Sequence, residues 1–150
     1  MTSSVAECTF CDIITGRASA SRVFEDDRVL AFLDIEPVTP GHSLVIPKRH
    51  VTSLDDLDAE LGAAIFKVAH LLARSLHQSA LRCEGVNMFL ADGAAAFQEV
   101  FHTHIHVFPR FVGDGFSVTA DWQRRTRAEL DGIAVEVGRG LQALGQAGST

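Results

Sequence analysis

Three histidines stand at every second position of the run HTHIHVFPR (residues 102–110), namely His102, His104 and His106, in a chain with seven histidines altogether. In an extended strand successive side chains alternate between faces. The three imidazoles then share one face at intervals of roughly 7 Å, while Thr103, Ile105 and Val107 turn to the other. Imidazole titrates near pH 6.5, so at neutral pH its unprotonated nitrogen serves as nucleophile, base or metal ligand. Three charged rings in a row would repel one another, and an anion among them or a metal on one of them relieves that repulsion. The row points to phosphate chemistry or to metal ligation, and the spacing alone leaves both open. Cys8 and Cys11 form a Cys-x-x-Cys pair whose thiols lie on one face of a helix, but a closed zinc site needs two further ligands.

The elements that must position these groups follow from the apolar pattern. CTFCDIIT (8–15) reads as a short helix stopped by Gly16. RVF (22–24) and RVLAFLDI (28–35), joined by Glu25-Asp26-Asp27, read as a hairpin, EPVTPG (36–41) as a loop and SLVIP (43–47) as a third strand. Leu57, Leu61, Ile65, Val68, Leu72 and Leu76 make one stripe of a long helix over 53–80, with Ser53 as its cap. VNMFLA (86–91) is a fourth strand, ADGAAAFQ (91–98) a small-residue connection, and EVFHTHIHVFPRF the fifth strand region. A second helix is expected over 121–144, with Leu130, Ile133, Val137, Leu141 and Leu144 on one face. Residues 1–7 read as frayed. The sum is a single α+β domain over 1–150: an antiparallel sheet of about five strands, covered on one side by helices.

A net charge of −6 argues against a nucleic-acid polymer as partner, since polyphosphate backbones select basic faces, and leaves a small nucleotide open. The most apolar stretch, AAIFKVAHLLA, is interrupted by Lys67 and His70, so no membrane span is expected. MTSSVAE lacks the basic flank and apolar run of a secretory signal, which makes the cytoplasm the expected location and reduced thiols or metal ligands the expected state of the three cysteines.

The run QEVFHTHIHVFPR resembles the His-x-His-x-His signature of the histidine triad (HIT) family. The resemblance extends to FCDIITG and to FEDDRVLAFLDIEPVTPGHSLVIPKRHV, and so covers roughly residues 8–111. It implies a HIT-like fold and hydrolysis or transfer at the α-phosphate of a nucleotide. His104 would be the nucleophile, His106 would stabilise charge on phosphate oxygens, and His42 would sit near His104 and orient it or the phosphate. It further implies that Asp34 accepts hydrogen bonds from ribose hydroxyls, that Phe10, Ile13, Phe32 and Ile35 hold the base, and that Gln98 and Glu99 lie on the phosphate and leaving-group side. For Ile13, plain core packing is an equal alternative. In bacterial-type relatives the histidine of PKRH and the first triad histidine complete a structural zinc site, which here gives Cys8, Cys11, His50 and His102. A purine nucleotide, adenosine most often, and a homodimer are the implied partners.

Three residues depart from the family pattern. Phe97 stands where glycine is usual before Gln98, Ala91 replaces an amide that helps bind phosphate, and Glu99 replaces a serine or threonine. They bear on the leaving group more than on the reaction. A nucleotidyltransferase, a non-catalytic nucleotide-binding module and a zinc-stabilised scaffold are the alternatives. Cys83, His70 and His77 read as structural or surface residues.

Overall fold

The computed structural model describes residues 7–147. The expectation that residues 1–7 fray falls almost wholly outside that range. Five antiparallel strands form one sheet in the order β1-β2-β3-β5-β4. They are β1 (Arg22–Glu25), β2 (Val29–Leu33), β3 (Ser43–Pro47), β4 (Gly85–Phe89) and β5 (Ile105–Arg110). Three α-helices accompany them: α1 (Thr9–Thr15), α2 (Ala59–Gln78) and α3 (Arg127–Ala147). The described residues fall into two compact units, one up to Phe116 and one from Ser117 onward.

The central strands are buried on both faces, not one. Val29 and Ala31 of β2, Val45 of β3 and Ile105 and Val107 of β5 pack with Ile65, Val68, Ala69 and Leu76 of α2. The alternate residues, Leu30, Phe32, Leu44 and Ile46, pack with Cys8, Phe10, Cys11 and Ile13 at the N-terminal helix. Period-two alternation sends each set to its own face. The second layer escaped the sequence reading because α1 is only seven residues long, too short for a helical stripe to show. Gly16, at φ 78°, ends α1 in the left-handed conformation that glycine adopts without steric cost, and its N–H bonds the carbonyl of Ile13.

Helix α2 begins five residues later than a Ser53 cap would place it. Its N-cap is Asp58, whose carboxylate accepts the N–H of Leu61 at 2.8 Å. Ser53 is engaged elsewhere: it and Thr52 donate their hydroxyls to the carboxylate of Asp56. Helix α3 starts at Arg127 instead of 121, set by a capping box in which the Thr126 N–H and hydroxyl reach Glu129 while Thr126 Oγ1 accepts the N–H of Glu129. Its apolar residues Leu130, Ile133, Val137, Leu141 and Leu144 are exposed.

Gly41 turns the chain into β3 at φ 98°, and a Cβ there would stand 2.7 Å from Leu81 Cδ1 and 3.3 Å from Pro109 Cγ. Only glycine combines that φ with that approach. Replacing Asp58 by Ala should cost about 1 kcal/mol of stability, measured by urea unfolding, and Ser53→Ala clearly less. The reverse ranking would restore Ser53 as the cap.

Candidate active site and metal centre

The three histidines hold to one side, but only His106 lies within regular β5. The N–H of His102 bonds the carbonyl of Val100 at 2.9 Å and that of Thr103 the carbonyl of Val51 at 2.6 Å, so the ladder begins at Ile105. The rings also lean together: those of His104 and His106 are 4.8 Å apart between centroids, closer than an ideal strand would put them. Phe10 presents an edge to His102 at 5.8 Å and to His104 at 5.3 Å. His102 is fully buried and His104 nearly so.

Backbone groups set the tautomer of each ring, because a carbonyl only accepts and an amide N–H only donates. His104 Nδ1 lies 2.7 Å from the carbonyl of His102, so Nδ1 carries the proton and Nε2 the lone pair. His102 Nε2 lies 2.8 Å from the carbonyl of Pro47, so its lone pair is on Nδ1. The N–H of Val38 donates to His42 Nδ1 at 3.1 Å, which leaves the proton on Nε2. That proton is donated to His106 Nδ1 at 2.9 Å, and His106 keeps its own proton on Nε2. The run from His104 to His106 thus presents an unprotonated Nε2 on His104 and a neutral N–H donor on His106.

The surroundings hold these rings uncharged. Burial pushes His106 down to about 4, with repulsion from His104 and His42 adding and the Asp34 carboxylate opposing. Burial lowers His104, against the hydrogen bond to the His102 carbonyl and the Asp34 charge. Burial lowers His42 as well, again opposed by Asp34. Asp34 follows β2 and His42 precedes β3, and the Asp34 N–H bonds the His42 carbonyl at 2.9 Å. The Asp34 carboxylate comes to 3.6 Å from His42 Nε2 and 4.0 Å from His106 Nδ1. These three side chains lie close enough to share a metal. The Val38 amide opposes it, because it occupies the one His42 lone pair that would have to be protonated before Nε2 could ligate.

A second cluster is built for ligation. Cys8, Cys11, His50 and His102 bring their ligand atoms within 4.8 Å of one another and could hold a metal ion. His102 Nδ1, its lone pair directed by Pro47, is 3.5 Å from Cys8 Sγ and 3.7 Å from Cys11 Sγ, while His50 Nδ1 is 3.3 Å from Cys11 Sγ. Burial, with Cys8 alongside, pushes the Cys11 thiol up to about 11, a penalty that a cation between the sulfurs would reverse.

The remaining candidates separate. Phe10, Ile13 and Phe32 sit together in the core at 6 %, 6 % and 3 % exposure, with Phe10 edge-on to Phe32 at 5.5 Å, whereas Ile35 is 96 % exposed. Ile13 shares the burial and the cluster of Phe10 and Phe32. Gln98 is a strut: its oxygen accepts the N–H of Gly93 at 2.7 Å and its amide donates to the carbonyls of Thr52 and Val100 at 3.0 and 3.3 Å. With those three bonds made, little of that amide is left for a ligand, which corrects its assignment to the nucleotide. Glu99 is exposed, and Ala91 is buried. His70 and His77 are exposed, with His77 Nδ1 3.6 Å from Cys83 Sγ.

Sequence reasoning missed the brace behind His42. Arg110 pairs with both carboxylate oxygens of Asp114 at 2.6 and 2.9 Å, holding that carboxyl well below the usual range, and lies over the Phe116 ring at 4.8 Å. Phe116 meets Phe108 edge-on, and Phe108 is 5.0 Å from His42. The Pro-Arg that ends the triad run was the available signal.

A model of the HIT domain matches residues 15–113. The chain belongs to the histidine triad family. A HIT-like protein of Borreliella burgdorferi is 48 % identical over 111 residues, spanning 73 % of this chain and 80 % of that one. A zinc-bound histidine triad protein from Mycobacterium smegmatis is 45 % identical, covering 81 % of this chain and 87 % of its own, with a TM-score of 0.73. An adenylylsulfatase of Arabidopsis thaliana is 38 % identical over 104 residues, 69 % of this chain and 52 % of that protein. Membership in the family supports a nucleotide as ligand and hydrolase-type chemistry. Among the described residues no helix is long and apolar enough to cross a membrane.

The histidine burial has a signed consequence. A histidine whose folded value lies below 6.5 stays neutral in the fold while the unfolded chain takes up a proton, so its contribution to stability is present above pH 6.5 and is lost as pH falls to about 4. Urea unfolding across that window should give a smaller pH dependence for His106→Gln than for the parent. Equal dependence in the two would show that His106 is charged in the fold.

Proposed function

We propose that the protein is a nucleotide hydrolase that cleaves at the α-phosphate through a covalent nucleotidyl-His104 intermediate and releases a nucleoside monophosphate. One observation carries the reading: the His102 carbonyl holds the proton of His104 on Nδ1 and leaves the Nε2 lone pair free to attack phosphorus.

In the first step Nε2 bonds to the α-phosphorus as the bond to the leaving group breaks, and the leaving group departs with the electron pair, an amine taking up a proton from solvent as it leaves. A neutral imidazole becomes cationic as it bonds, so the Nδ1–H bond to the His102 carbonyl strengthens towards the transition state. His106 donates Nε2–H to a non-bridging oxygen, held in that tautomer by His42. In the second step water attacks phosphorus and gives up a proton to solvent, the P–N bond breaks and the pair returns to Nε2, which balances the proton taken up by the leaving group. Asp34 is assigned to the ribose hydroxyls, since a carboxylate accepts from two adjacent donors. The base is assigned to apolar surface between Ile35 and the Phe10–Phe32 cluster, which favours a purine with little discrimination among bases. A phosphoramidate, an acyl nucleotide or a dinucleoside polyphosphate supplies an α-phosphate with a competent leaving group, and the adenylylsulfatase relative supports an adenosine-type substrate.

Zinc suits the second cluster. Tetrahedral bonds of the usual lengths set sulfur and nitrogen ligands about 3.6 Å apart, against 3.3 to 3.7 Å for three of the sulfur–nitrogen pairs here and at most 4.8 Å across the set. Four protein ligands leave no open position, so the ion would supply structural cross-linking, not Lewis-acid catalysis. The same reading includes a homodimer in the cytoplasm. Strand β4 is a sheet edge with Met88 and Phe89 exposed, a backbone row open to pairing with another chain.

Adenosine phosphoramidate should be hydrolysed to the monophosphate, and His104→Ala should lower turnover by at least roughly a thousandfold while still binding the monophosphate. Undiminished turnover in that variant would overturn the mechanism. Protein purified without chelator should contain one zinc per chain, and Cys11→Ser none. Parent protein free of metal would overturn the zinc assignment.

A further inference from the structure

His42 gives its proton to the weaker of two acceptors. Its Nε2 lies 2.9 Å from His106 Nδ1 and 3.6 Å from the Asp34 carboxylate. A hydrogen bond to an ionised group is roughly twice as strong as one between neutral groups, so a free ring would turn to Asp34. His106 Nδ1 would then lose its donor, and it lies only 4.0 Å from the same carboxylate. The His106 proton would move to Nδ1 to meet that charge. A lone pair would be left on Nε2, where a phosphate oxygen needs an N–H.

Two contacts hold the ring where it is. The Val38 N–H anchors Nδ1 at 3.1 Å, and its loop is tied to β5 by the Thr39 hydroxyl, which donates to the Pro109 carbonyl at 2.6 Å. Phe108, 4 % exposed, packs beside the ring with centroids 5.0 Å apart. Behind Phe108 stands Phe116, edge-on at 5.2 Å, in a segment with no strand or helix. Arg110 and Asp114 place it. The guanidinium lies over the Phe116 ring and donates to the Phe116 carbonyl at 2.9 Å, while Asp114 Oδ1 accepts the Phe116 N–H at 3.1 Å. The other carboxylate oxygen of Asp114 accepts from Arg110 and from the Phe111 N–H. Arg110 also donates to Asn87 of β4 at 2.6 Å, which ties the brace to the sheet.

We infer that the Arg110–Asp114 pair is a positioning device for the reaction: through Phe116 and Phe108 it keeps His42 on His106 and off Asp34. The role in the reaction rests on the hydrolase reading above. Arg110 and Asp114 act through other side chains and are not catalytic residues themselves. Their effect is on two groups at once. His106 keeps the N–H assigned to a non-bridging oxygen, and Asp34 keeps its lone pairs for the ribose hydroxyls.

The test uses Asp114→Asn, Arg110→Gln and the double variant in the full chain. Should Arg110→Gln unfold because a carboxylate is left unpaired, Asp114→Asn decides alone, since it strands only a half-exposed cation. Nitrogen NMR of protein carrying labelled histidine reads each tautomer, free and with adenosine monophosphate. The parent should show the His106 proton on Nε2 and a scalar coupling across the His42–His106 hydrogen bond. In the variants that coupling should vanish and the His106 proton should shift towards Nδ1, while His104 keeps its proton on Nδ1. The kcat for adenosine phosphoramidate should fall about tenfold, the effect of one net hydrogen bond. The double variant should lose no more than the worse single one, because the two residues act as a unit. Variants less stable to urea but with parent tautomers and kcat would show a merely structural pair and overturn the inference. A tautomer shift with kcat unchanged would overturn the role in the reaction. A parent that binds the monophosphate without hydrolysing the phosphoramidate would overturn the hydrolase reading, and the tautomers would still decide what places His42.

Discussion

The hydrogen bond from His104 Nδ1 to the carbonyl of His102 is the constraint on which the site depends. Neutral imidazole has one lone pair, and nothing in the ring itself decides which nitrogen carries it. The main chain decides here. A carbonyl two residues upstream in an extended segment reaches the near nitrogen, and the far nitrogen is left with the lone pair. The same residue serves a second cluster through its ring, because the Pro47 carbonyl turns the His102 lone pair towards Cys8 and Cys11. One residue thus joins the candidate metal centre to the candidate nucleophile, from ring nitrogen to carbonyl oxygen.

Burial and tautomer act together. Taking imidazoles out of water disfavours their charged form, so the rings stay neutral and repulsion along the row disappears. Each buried ring then needs partners for its polar atoms, and fixed backbone groups supply most of them: Pro47 and His102 carbonyls, and the Val38 amide. The sheet makes this possible because both its faces are covered. Helix α2 fills one side with aliphatic residues, and the short α1 brings Phe10 and the two cysteines over the other, beside the histidines.

Much of the strand plan was legible because alternating apolar residues and turn residues have local causes: β1, β2, β3 and β4 fall within about two residues of their expected bounds. The starts of α2 and α3 were not, although that of α1 fell within one residue, since several hydroxyls and carboxylates near 53–58 and 121–126 compete for the same role. Asp56 captures Ser53 in one case, and the Thr126–Glu129 pair sets the start in the other. Gln98 was misread for a related reason. A polar residue beside a signature is taken for a ligand contact until its neighbours in space are known, and three of those neighbours are backbone atoms of the surrounding loops.

The amino-acid order by itself determined that three imidazoles would share a face, that thiols and histidines suited to one metal would be present, and that the chain would fold as an antiparallel sheet with helices. These follow from periodicity and residue chemistry, which act between near neighbours. Only the tertiary structure decided which nitrogen of each ring is free and which polar residues are struts. Those outcomes depend on carbonyls, amides and carboxylates brought in from distant segments, whose directions no local pattern encodes.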